Sequence, residues 1–121
     1  MSAVLRHVLL LQKDVQKAAK FYQEGLRLPV NVLTERWAEL QAGDARIALK
    51  AVDGEAFTTC GYSPFLSFEV ADLQDSVQRL LQLGATLDGP IKYPARGKVA
   101  VLRGPDGHML SLFEPGDNAR S

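Results

Sequence analysis

The side chains able to move protons or hold anions and metals are few in this chain: two histidines, one cysteine and a balanced set of carboxylates and cations. His7 lies in the apolar run Val4–Leu11 and Glu69 in Phe65–Val70. An imidazole and a carboxylate brought together make an acid–base pair, and His7 with Glu69 is the best such pair available. A lone histidine on an apolar strand is more often a satisfied, partly buried imidazole than a ligand. A solvated strand end accounts for Glu69 equally well. By alternation Glu69 shares a face with Phe65 and Ser67. Arg46 and Lys50 alternate onto the face of Ala48, where they would favour an anionic or carboxylate ligand if that face lines a cavity. A wet sheet edge is the other reading. Trp37, Phe65 and Phe113 would give flat walls for an aromatic ligand, although core filling explains them nearly as well. His108 follows a turn and is expected in solvent. Cys60 has no histidine near it in sequence, so an inert thiol is expected.

Composition narrows the classes of function. With 121 residues the chain can form one compact domain with a real core. Acidic and basic residues balance at 14 each, so no global field draws nucleic acid or an anionic membrane. A single cysteine excludes an internal disulfide and a CxxC metal cluster, and a cytoplasmic setting is expected. The apolar run near the N-terminus is too short for a signal peptide or a membrane span.

These side chains must be positioned by a repeated set of elements. Val4–Leu11 reads as a strand buried on both faces. Asp14 is a plausible N-cap, followed by Val15, Ala18, Ala19, Phe21 and Tyr22 at helical spacing, with Gly25 closing the helix. Extended segments follow through Thr34, at Trp37–Leu40 and at Arg46–Val52. Asp53–Pro64 has no clear period and reads as a linker or loop. Phe65–Val70 then opens a second series. Asp72 repeats the N-cap, Leu73, Val77, Leu80 and Leu81 form the stripe, and Gly84 ends the helix. Three more strands are expected at Ala85–Leu87, Lys98–Leu102 and His108–Phe113, the last two joined by the turn Pro105-Asp106-Gly107. Asp14 and Asp72 stand 58 residues apart and Gly25 and Gly84 stand 59 apart, so two copies of a βαβββ unit are the economical reading.

A doubled βαβββ unit carrying Phe65-Leu66-Ser67-Phe68-Glu69-Val70-Ala71-Asp72 and Gly104-Pro105-Asp106-Gly107-His108-Met109-Leu110-Ser111-Leu112-Phe113-Glu114-Pro115 resembles the vicinal oxygen chelate superfamily. That superfamily holds glyoxalases, bleomycin resistance proteins and extradiol dioxygenases. The resemblance covers roughly Leu5 to Pro115. It implies an α+β fold: one domain over residues 1–121, with unit one near 4–52, a linker at 53–64 and unit two near 65–115. In the family each unit curls its sheet into a half-barrel, and two half-barrels enclose a cavity. Metal enzymes of the family place ligands at four positions, which fall here on His7, Ala48, Phe65 and Ser111. Alanine and phenylalanine cannot ligate a metal, and a serine hydroxyl is a poor substitute for a carboxylate. Glu114 lies three residues past the last slot and points to the opposite face, at an edge or rim. The loop Ile91–Gly97 sits where family loops flank the cavity, making Tyr93 and Arg96 binding candidates.

Three hypotheses follow. The first is a metal-free small-molecule binder akin to the bleomycin-resistance branch, with no cofactor. The second is a metal-dependent lyase, isomerase or dioxygenase with a non-standard ligand set. The third is a metal-independent enzyme using His7 and Glu69. The resemblance and the edge at Val30–Thr34 also imply a homodimer. Light scattering at micromolar concentration is expected to give twice the chain mass; a monomer there would count against pairing.

Overall fold

Each helix begins where an aspartate closes its first turn. In the computed structural model, which describes residues 2–53 and 64–116, Asp14 is extended and its carboxylate accepts from Lys17 N at 3.0 Å. Asp72 does the same for Asp75 N at 3.1 Å. Such caps satisfy a backbone N–H that has no partner within the helix and contribute about 1 kcal/mol each. The resulting helices are α1 (Val15–Leu26) and α2 (Leu73–Gln82). The stop of α1 differs from expectation: the helix runs past Gly25, which is buried, and Arg27 takes the left-handed position at φ 58°. Gly84, at φ 106°, does end the second helix as expected.

The chain divides into two compact units, Met1–Thr58 and Thr59–Ser121. The first holds β1 (Val8–Gln12), α1, β2 (Val30–Leu33), β3 (Trp37–Ala42) and β4 (Ala45–Ala51). The second holds β5 (Phe65–Glu69), α2, β6 (Thr86–Leu87), β7 (Gly97–Arg103) and β8 (Met109–Pro115). Sheet orders are β1-β4-β3-β2 and β5-β8-β7-β6, the same pattern twice. The first strand of each unit pairs in parallel with the last, and the other neighbours are antiparallel. Both units are therefore βαβββ, in an α+β fold.

Each helix covers one face of its own sheet. In unit one Leu10, Ala38, Leu40, Ile47 and Leu49 are buried with Val15, Ala18, Phe21 and Tyr22 of α1. In unit two Ala100, Leu102, Leu110 and Leu112 are buried with Leu73, Val77 and Leu80 of α2. Period-2 alternation sends the intervening residues to the face without the helix.

Two boundaries depart from the sequence reading. β1 begins at Val8 rather than Val4, and Val4 and Leu5 are 89% and 78% exposed. The run is also not buried on both faces, since Leu9 is 43% exposed beside Leu10 at 1%. β2 is an edge, as anticipated, with Val32 and Leu33 exposed and a register shift between Val30 and Val32. Of the expected linker, residues 54–63, Cys60 among them, lie outside the described residues.

Glu114 has a structural task. Its Oε1 accepts from Leu73 N at 2.8 Å, and Lys98 Nζ stands 3.6 Å from its Oε2. It lies on the helix side of the sheet, opposite Ser111, and ties β8 to the first turn of α2, where a negative charge also suits the helix dipole. Glu114→Ala is expected to cost about 1–2 kcal/mol, read as a lower urea midpoint with an unchanged slope.

Candidate functional site

The side chains with chemical potential collect on the two faces that the helices leave uncovered. In unit one the register lines up Leu9, Ala48 and Glu39 across three strands, then Leu11, Lys50 and Trp37, then Arg46 with Gln41. Arg46, Ala48 and Lys50 thus share a face with Trp37. Ala48 is fully buried there, whereas Arg46 and Lys50 are exposed. His7, just before β1, is half-buried and meets Trp37 edge-on, with ring centroids 5.8 Å apart at 70°. The Trp37 indole N–H donates to Glu39 Oε2 at 2.8 Å. An imidazole, an indole and an oriented carboxylate therefore form one connected group.

Glu39 is the residue that the sequence reading missed. Its signal was present: two positions after Trp37 in a strand, it had to share the tryptophan's face.

In unit two, Ser67 is registered with Ser111 and Val101, Glu69 with Phe113 and Val99, and Phe65 with Met109. Phe65, Ser67, Glu69, Ser111 and Phe113 accordingly share one face, with two hydroxyl side chains on directly opposed positions. Phe65 is 46% exposed; Ser67 and Glu69 are exposed, and Ser111 and Phe113 half-buried. Tyr93 and Arg96 are exposed on the loop before β7, with Tyr93 at 66%. Lys92 and Val99 exchange both backbone hydrogen bonds at 2.9 Å, and Gly116 N donates to the Arg96 carbonyl at 2.7 Å, so the loop is tied at both ends. Gly97 follows it because a Cβ there would collide with the Glu114 carbonyl oxygen.

His7 and Glu69 belong to different units. His108, expected in solvent, is 4% exposed. Pro105–Gly107 forms a 3-10 turn with Asp106 at φ 60°, closed by Gly104 N donating to the His108 carbonyl at 2.8 Å. That closure makes His108 the last loop residue before β8, and its ring is held inside rather than at the tip.

The four positions that would carry a divalent ion hold His7, Ala48, Phe65 and Ser111. Ala48 has no donor atom and packs on the strand between Leu9 and Glu39; Phe65 presents a ring opposite Met109. This set does not fit a metal that needs carboxylates and imidazoles. Among the described residues no three His, Cys, Asp or Glu side chains converge as a cation cage. No helix among the described residues is long and apolar enough to cross a membrane.

Residues 4–112 match the family described as Glyoxalase/Bleomycin resistance protein/Dioxygenase superfamily. No curated protein gives a significant match. Among solved structures, a glyoxalase/bleomycin resistance protein/dioxygenase family enzyme from Burkholderia phytofirmans PsJN is similar at TM-score 0.78 and 21% identity, covering 94% of this chain and 100% of that one. The fosfomycin resistance protein FosX from Listeria monocytogenes is similar at TM-score 0.77 and 17% identity, over the full length of both chains. A second structure of that protein is complexed with Mn(II) and sulfate ion, with 99% of this chain and 96% of that one covered at the same score and identity. FosX from Mesorhizobium loti is similar at 0.75 and 19%, over 99% and 98%. At these identities the likeness is one of fold.

The bond between Trp37 and Glu39 carries its own test. Trp37→Phe keeps an aromatic side chain but removes the donor with part of the indole, so stability is expected to fall by about 1 kcal/mol or more. Urea unfolding followed by far-ultraviolet circular dichroism reads this; an unchanged midpoint in both Trp37→Phe and Glu39→Ala would show that the bond contributes nothing.

Proposed function

Since this chain belongs to the glyoxalase/bleomycin resistance protein/dioxygenase superfamily, we propose that it binds a small aromatic or anionic molecule without a metal. The helix-free face of unit one is the binding surface best furnished for this. One observation carries the reading: at the positions where the family's metal enzymes hold their ion, Ala48 and Phe65 offer no donor and Ser111 only a hydroxyl. What stands on the same faces instead suits binding. Trp37 gives a flat wall, Lys50 is its cross-strand neighbour, and Arg46 supplies a second cation. Tyr93 and Arg96 are further contacts in this reading, as are Phe65, Ser67, Ser111 and Phe113 of unit two. Sequestration requires shape, apolar area and a few charges, and no reacting group.

A second reading, a metal-dependent lyase, isomerase or dioxygenase of the glyoxalase type, is favoured by one feature. Glu39 is registered directly across from Ala48 on the same face, a carboxylate one strand away from the expected slot. A fold neighbour complexed with Mn(II) points the same way.

Metal analysis separates the two. Untagged protein incubated with manganese, zinc, nickel or iron(II) and then desalted is expected to retain much less than one equivalent. Stoichiometric retention that Glu39→Ala abolishes would overturn the metal-free reading and favour the second.

A further inference from the structure

The segment before β1 leaves the sheet early, and a cleft opens where it does so. Parallel pairing starts at Val8 with Ile47, so Arg6 and His7 are unregistered beside Ala45 and Arg46 at the start of β4. Between them lies a cleft of about 280 Å³, with Arg6, His7 and Arg46 in its lining and Asp44 from the β3–β4 turn. Val4, Leu5 and Ala45 add apolar surface to the same cleft.

We propose that this cleft binds a small organic carboxylate, its oxyanion held between the guanidinium groups of Arg6 and Arg46. Neither guanidinium is engaged in an ion pair among the described residues. Two planar forks facing one cleft suit a carboxylate, which accepts paired N–H donors, and the His7 imidazole adds a third donor. Asp44 reduces the excess to about one positive charge, which favours a monoanion over a dianion. Val4, Leu5 and Ala45 receive a short apolar group. A cleft of this volume admits a small organic acid such as benzoate. The backbone edge of β4 at Ala45 and Arg46, with no β1 residue registered opposite, lies beside the ligand as well. The inference rests on the reading of Arg46 as a ligand contact and adds Arg6, which that face does not contain.

The test is a titration of the full chain with benzoate, followed by amide nuclear magnetic resonance. Saturable shifts are expected at residues 4–7 and 43–46, with affinity falling as sodium chloride is raised. Arg6→Gln and Arg46→Gln should each weaken binding about tenfold; both residues are exposed, and unchanged melting would show that the variants fold. Shifts that do not saturate, wild-type affinity in either variant, or tighter binding of inorganic phosphate would overturn the proposal. Saturable shifts confined to Trp37, Glu39 and Lys50 would also overturn it while leaving the helix-free-face reading intact. Saturable shifts confined to residues 4–7 and 43–46 would uphold it, with Arg46 as the contact shared with that reading.

Discussion

Each unit depends on a parallel pairing between its first and last strands, Val8–Gln12 with β4 and Phe65–Glu69 with β8. Parallel neighbours cannot be joined by a tight turn, so the chain must travel the length of the unit before it returns. On the way it lays down a helix against one face, and the antiparallel strands complete the sheet. That single constraint separates the residues of every strand into two sets. One set is buried against a helix; the other is left on a face where polar and aromatic groups are tolerated. Trp37 and Glu39 share a face by alternation within β3, as do Arg46 and Lys50 within β4, and register brings the two pairs onto the same side.

Much of this was legible from residue types. The two aspartate caps were readable because capping is a local bargain between a side chain and an amide three residues on. The repeated order of strands and helix was readable because periodicity survives in both halves. Element ends were less so. Val4 and Leu5 are as apolar as the strand they precede, but a strand extends only as far as its partner is paired, and hydropathy says nothing of that. Gly25 looked like a helix stop, yet packing against the core keeps it helical and leaves Arg27 to adopt the left-handed turn. His108 looked exposed because residues beside turns usually are; here the left-handed Asp106 and the bond from Gly104 N to the His108 carbonyl close the turn before it, and its side chain is buried. Glu39 went unnoticed because a glutamate in a strand reads as solvated surface until its indole partner is seen.

The helix-free face of unit one holds its polar groups in fixed places. A carboxylate held by an indole N–H is restrained in position, and an imidazole edge-on to the same ring is restrained with it. Rigid polar groups beside an aromatic wall lose little entropy when a ligand arrives. Family membership and fold do not specify the ligand, since sites on one fold serve many chemistries; side-chain identity does that. Here the substitutions at Ala48 and Phe65 remove donors and leave surface.

The tie between Glu114 and the first amide of α2 spans 41 residues. A nascent chain therefore contains the residues of the second helix before the carboxylate that steadies its first turn exists. Until Glu114 has been synthesised and β8 has paired, only local contacts such as the Asp72 cap support that helix start, and the apolar stripe of Leu73, Val77 and Leu80 has no finished sheet to cover. Completion of the second unit is thus a late event in the life of each new chain, and its helix waits on nearly the last residue of the fold.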